Sequence, residues 1–195
     1  MKTLLDNYRK YKWFFTSNDH LVVGGKNAVQ NEELLHLIKK TGKNLIVLHT
    51  SSPGSPFSII LEDSGKVDKK DLEEAAIFTA CFSQAWKSGK KRADVDFFKS
   101  SQLNKPNNAK IGTWHVSGDV QTLNVPLELF LIKQKDSLRA VPESTAGSKA
   151  IIKITPGRID KKDIIPKIEL ESKLSFSQEQ ILSALPAGGI AVRKL

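Results

Sequence analysis

The segment from Asp68 to about Ser88 limits most strongly what this chain can fold into. Leu72, Ala75, Ala76, Thr79, Phe82 and Trp86 share one stripe at helical spacing, and Ile77, Phe78, Cys81 and Ala85 widen it almost around the cylinder. Asp68 is placed to cap the first turn, Asp71 to meet the positive end of the dipole, and Gly89 to stop the element. A helix that is apolar on so many sides needs cover on more than one of them, so the remaining chain has to wrap it.

The wrapping elements read as strands. Lys12–Ser17 and His20–Val23 are aromatic and β-branched runs joined by Asn18 and Asp19, residues that tolerate the positive φ of a tight hairpin turn. Leu45–Leu48 is a short continuous apolar run and Phe57–Leu61 a second, broken only by Ser58, the mark of strands buried on both faces. Further strands are expected at Ala93–Lys99, Gly112–Ser117, Gln121–Val125, Leu129–Gln134, Leu138–Val141 and Ala150–Thr155, each bounded by turn residues. Helical spacing recurs in Asn31–Ile38, in a basic lead-in over Met1 to Lys12, and after Ser177, whose partner Gln180 completes a capping box. The fold class expected is α+β: a mainly antiparallel sheet with an N-terminal hairpin and one long buried helix at about 68–88.

Charge narrows the partner class. Thirty Lys and Arg stand against 21 Asp and Glu, a formal charge of +9, and such a surplus attracts polyanions, although it also serves plain solubility. Basic residues gather at Lys87, Lys90, Lys91 and Arg92, at the expected helix end, with Lys99, Lys105 and Lys110 following. Cys81 is the single cysteine, so no internal disulfide can form, and no apolar run approaches the roughly 18 residues that span a bilayer. With no signal-like start either, the expected location is cytoplasmic, without membrane contact.

Two loops carry the polar chemistry. Gly24-Gly25-Lys26-Asn27 precedes a helix, where backbone N–H groups can approach an anion, but the spacing is not that of a P-loop. His49-Thr50-Ser51-Ser52-Pro53-Gly54-Ser55 follows an apolar strand and offers a ring and hydroxyls to a ligand; the alternative is a histidine that merely bonds a loop carbonyl. His20, His36, His49 and His115 form no metal-ligand pattern, and neither a metal nor a cofactor is expected. Ser51 or Ser55 beside His49 would be the minimum for a hydrolase or nuclease, yet no nucleophile elbow or orienting acid accompanies them, and no catalytic residue is assigned.

Several of these segments, in order, resemble one family. Trp13–Ser17, Leu21–Glu32, His49–Pro56, Leu72–Ala76, Ser83–Trp86, Val95, Lys105-Pro106 and Gly112 are similar to the NFACT-R domain. That domain is the RNA-binding-type module of ribosome-associated quality-control NFACT proteins and of fibronectin-binding-protein-like bacterial relatives. The resemblance spans residues 1–125 in domain terms, from about Trp13 to Val125, and leaves 126–195 as a β-rich C-terminal extension of open role. It implies a freestanding RNA-binding protein, not an enzyme, with tRNA or rRNA and the ribosome as partners; a protein-interaction module on such a partner is the alternative. The implied binding surface comprises Lys26, Asn27, Gln30, Asn31, His49, Thr50, Ser51, Ser52, Gly54 and Ser55, flanked by Lys87, Lys90, Lys91 and Arg92. Loop groups would read shape, 2′-hydroxyls or unstacked bases while lysines hold the backbone.

Overall fold

Side chains alternate across a strand, so a run of consecutive apolar residues is stable only where both sheet faces are covered. In the computed structural model, which describes residues 2–172 and 176–195, the central strands meet that condition. Strands β1 (Lys12–Phe15), β2 (Leu21–Gly24), β3 (Leu45–Thr50), β4 (Ser58–Asp63) and β5 (Arg92–Lys99) come first. A two-stranded ladder, β6 (Leu103–Asn104) with β7 (His115–Val116), then branches off before β8 (Gln121–Pro126) returns to the main sheet. That sheet is antiparallel throughout, in the order β1-β2-β4-β3-β5-β8.

Phe14, Val22, Ile60, Leu48 and Val95 pack on one face of this sheet, Trp13, Val23, Ile59, Val47 and Phe98 on the other. Helix α1 (Lys2–Asn7) leads into the sheet, and α2 (Ala28–Lys40) covers the second face with Leu34, Leu35 and Ile38. The first face takes α3 (Lys69–Cys81), whose residues Ala75 through Cys81 are all buried. Asp68 and Asp71 close a capping box at its start. A second antiparallel sheet lies on the far side of α3, in the order β10-β9-β11-β12: β9 (Leu129–Gln134), β10 (Ser137–Val141), β11 (Ile152–Ile159) and β12 (Ile190–Lys194). One hydrophobic cluster runs from Phe14 and Phe78 to Leu131, Ile154 and Ile190. The fold is α+β and antiparallel, as the patterning predicts.

The single long helix expected at 68–88 is instead two. Helix α3 ends at Cys81, and a four-residue helix, α4 (Gln84–Lys87), follows. Ser83 makes the break: its hydroxyl donates to the Ala80 carbonyl (2.7 Å) and accepts from the Ala85 N–H (3.1 Å), capping the new helix. The bend turns the Gln84 N–H onto the Gly54 carbonyl (3.0 Å), so the histidine loop docks on α4. Past β10 the chain forms α5 (Glu143–Ala146), α6 (Ile165–Ser172) and α7 (Gln178–Ala184), the last opened by the predicted Ser177–Gln180 box. Met1 of the predicted lead-in helix lies outside the described residues.

Polar links join the halves as well as the shared core. Gln134 pairs with the backbone of Phe15, accepting from its N–H (3.0 Å) and donating to its carbonyl (2.8 Å), which satisfies the edge strand β1. Trp86 Nε1 donates to the Gly189 carbonyl (3.1 Å). The strap around Gly189 passes so close to β11 that a Cβ there would lie 2.2 Å from the Gly157 carbonyl oxygen. This tight passage brings Leu185 and Ala187 over α4 and up to the cleft described next.

Candidate nucleic-acid interface

Where the glycine loop, the histidine loop and α4 meet, they enclose an open cleft of about 910 Å³. Of the residues singled out from sequence, Lys26, Asn27, Asn31, His49, Thr50, Ser51, Gly54, Ser55 and Lys87 line it. Ser52, Lys90 and Arg92 face a smaller adjoining cleft of about 320 Å³. Gln30 and Lys91 line neither: Gln30 is turned back onto the Lys26 N–H (3.0 Å), and Lys91 is exposed beyond α4.

The glycine loop is built around Asn31. Its side-chain oxygen accepts from the Phe57 N–H (3.1 Å), tying the first turn of α2 to the entry of β4. Gly25 is obligatory beneath it, because a Cβ would lie 2.2 Å from that oxygen. Asn27 caps α2 by accepting from the Gln30 N–H (2.9 Å). The N–H groups of Lys26, Gln30 and Asn31 are thus already bonded within the loop, and the Lys26 ammonium adds charge beside the first turn of α2.

In the histidine loop, His49 Nδ1 lies 2.7 Å from the Thr50 carbonyl, which fixes the proton there and leaves Nε2 as the acceptor of a neutral ring. Burial pushes the imidazole pKa down, with the Thr50 carbonyl and Asp96 only partly offsetting it. The ring packs on Phe57 at 4.5 Å between centroids. Ser51 Oγ donates to Asp96 (2.7 Å), and Ser55 Oγ accepts from the Thr50 N–H (3.0 Å) and donates to the Pro56 carbonyl. Both hydroxyls considered as nucleophiles are therefore bonded to groups other than His49.

Among the described residues, four lysines line the cleft, Lys12, Lys26, Lys87 and Lys161, against one carboxylate, Asp96, whose Oδ1 accepts from Ser51 and Thr122 (both 2.7 Å). Phe57, Phe98, Ile111, Trp114 and Val120 add an apolar wall. Glu32 holds that wall up. Its carboxylate accepts from Lys105 (2.9 Å), the Gly112 N–H (2.8 Å) and Trp114 Nε1 (3.0 Å), while His36 bonds the other oxygen. Burial works against the ionised form, but the Lys105, Gly112 and Trp114 bonds outweigh it and hold the carboxyl at about 2. Lys105, grouped with the basic residues in the sequence, is spent inside this clamp.

Sequence reasoning did not find Lys12, Lys161, Ile111 or Gln84 as lining residues. Lys12 reads as part of a basic lead-in and nothing local singles out Lys161; only tertiary packing brings them together. The Arg92 guanidinium is bonded to the Asn124 side chain and carbonyl, whereas Lys87, Lys90 and Lys91 are exposed.

Comparison with known proteins places this geometry in context. A sequence profile described as "NFACT protein RNA binding domain" matches residues 10–118. The archaeal Rqc2 homolog aRqcH of Methanocaldococcus jannaschii is 32% identical over 200 residues, covering 96% of this chain but 29% of that protein. The ribosome quality control complex subunit NEMF homolog of Drosophila melanogaster is 25% identical over 155 residues, 79% of this chain and 14% of the relative. The chain thus spans less than a third of the length of these relatives. Among solved structures, the C-terminal part of the fibronectin/fibrinogen-binding protein from Streptococcus suis shares the fold, with a TM-score of 0.53 at 24% identity over 60% of this chain and 45% of that one. The archaeal match continues through the C-terminal half, beyond the stretch in which the sequence showed a family resemblance.

Proposed function

Because the chain belongs to the family of NFACT protein RNA binding domains, we propose that it binds RNA through the lysine-lined cleft, in ribosome-associated quality control, with tRNA or rRNA as the natural ligand. One observation carries the reading: among the described residues, four lysines and a single carboxylate line an open cleft of about 910 Å³. Lys87, Lys90 and Lys91 extend the positive surface past the rim and supply affinity that is indifferent to sequence. His49 Nε2 and the loop around Ser51 and Gly54 supply hydrogen bonds to 2′-hydroxyls or base edges.

Titration of labelled single-stranded RNA and of tRNA over a salt series tests this. The log–log slope is expected between about −3 and −5 for single strands, at roughly 0.7 per neutralised phosphate. The double variant Lys90→Ala/Lys91→Ala should reduce its magnitude by about 1 to 1.5 without loss of folding. Absence of binding at low salt overturns the proposal.

A further inference from the structure

Three of the lysines that line the cleft lie close together. Lys12 at the start of β1, Lys26 in the glycine loop and Lys161 after β11 lie near enough that the latter two act electrostatically on the Lys12 amine. Lys12 Nζ donates to the Ser183 carbonyl (2.9 Å) in the last turn of α7 and sits 4.7 Å from the centre of the Phe82 ring. Burial, followed by the charges of Lys161, Lys26 and Arg139, holds this amine down at about 7. Among the described residues, none of the three lysines belongs to an ion pair. Three amines gathered with no ion-pair partner, one of them held down partly by the charges of the other two, form an arrangement that a bound oxyanion relieves by favouring the charged form of all three.

Other lining residues have the opposite character. Ile111 is 63% exposed and Val120 42% exposed, both beside the nearly buried Trp114. The Glu32 clamp fixes Gly112 and Trp114 on either side of Thr113, so Ile111 is held at the rim by the backbone that follows it. An apolar shelf and a lysine cluster line one cleft of about 910 Å³, the two characters that a base and a phosphate require, and the volume falls in the usual range of small-molecule sites.

We infer that the cleft seats one unstacked nucleotide of a single-stranded RNA segment, with its phosphate among Lys12, Lys26 and Lys161 and its base against Ile111, Val120 and Trp114. This rests on the RNA-binding reading above and gives the C-terminal half a part in it, since Lys161 lies beyond the matched residues 10–118. The strap that carries Leu185 and Ala187 closes the phosphate end of the seat. His49 Nε2 is the acceptor available to a 2′-hydroxyl or an exocyclic amine.

Calorimetric titration of the full chain with AMP and, separately, with inorganic phosphate tests the inference, alongside competition of AMP against a labelled oligoadenylate. AMP should bind at least about tenfold more tightly than phosphate, because a base buried on an apolar shelf adds to the shared phosphate contact. Lys161→Glu should weaken both ligands by roughly tenfold, one attraction being replaced by a repulsion. Ile111→Asp should weaken AMP and leave phosphate unchanged. Equal affinities for AMP and phosphate, or AMP affinity unchanged in Lys161→Glu, overturn the seat. If oligoadenylate binds with the expected salt dependence and AMP fails to displace it, the seat is wrong and the RNA reading stands. If AMP binds as expected while no RNA does, the occupant is a free nucleotide and the RNA reading falls.

Discussion

Gly25→Ala is expected to destabilise the protein by about 2–4 kcal/mol, the range set by overpacking together with a lost buried hydrogen bond, and to weaken RNA binding at least tenfold. The new Cβ would lie 2.2 Å from Asn31 Oδ1 and 2.7 Å from the Asn31 N–H nitrogen, so the loop or the helix has to move. Either movement breaks the bond from the Phe57 N–H to Asn31 and displaces Asn27 and Lys26 with it. Gly42→Ala makes a useful contrast: Gly42 has a positive φ of 66° but nothing within 4 Å of an added Cβ. Its cost should be only the backbone strain of about 1–2 kcal/mol, with RNA affinity unchanged. Urea unfolding and RNA titration of the two variants check both statements.

Glu32→Gln should be comparably damaging, by about 2–4 kcal/mol, because a charged acceptor shared by three donors is replaced with a neutral amide. The consequence reaches the cleft, since the loop carrying Ile111 and Trp114 is anchored only a few residues from the lost bonds. Trp114 fluorescence should shift to the red as the indole loses its partner. The pH dependence carries a definite sign. In the folded chain this carboxyl titrates at about 2, below its ordinary 4.5, so its stabilisation is complete above about 4.5 and disappears as pH falls toward 2. The wild-type protein should therefore lose more stability between pH 5 and pH 2 than Glu32→Gln does. Parallel loss in the two proteins would mean that the clamp does not hold the loop.

Much of this architecture is legible in the chain because burial on two faces leaves a plain signature. Leu45–Leu48 is a continuous apolar run, Phe57–Leu61 one broken only by Ser58, and they become the central strands β3 and β4; Asn18-Asp19 becomes the hairpin turn, with Asp19 at φ 63°. The break between α3 and α4 was hidden because Phe82, Ala85 and Trp86 continue the helical stripe across it. The capping capacity of Ser83 competes with that pattern only once Gly54 is there to receive the Gln84 N–H. The strand expected at Gly112–Ser117 shrinks to His115–Val116, as the Gly112 N–H is bonded to Glu32 and the Thr113 N–H to the Lys110 carbonyl instead of to a ladder partner. Helix α6 went unread although Ile165 and Ile168 form its buried side.

The candidate site divides along the same line. Its two loops stand out locally, through glycine, asparagine and a histidine followed by hydroxyls. Lys12 and Lys161 are 149 positions apart and look like ordinary solvated lysines until β1, β11 and α7 converge. Trp114 reads as one of several aromatics that either stack on a base or fill the core, and nothing local ties it to Glu32.

Hydrogen–deuterium exchange of the full chain with and without a saturating single-stranded RNA tests most directly that the cleft is the binding surface. Exchange should slow at residues 26–31, 50–55 and 84–88, which form the glycine loop, the histidine loop and α4, and remain unchanged across β9 and β10. Protection confined to the second sheet, or binding that leaves those three segments untouched, would contradict the account.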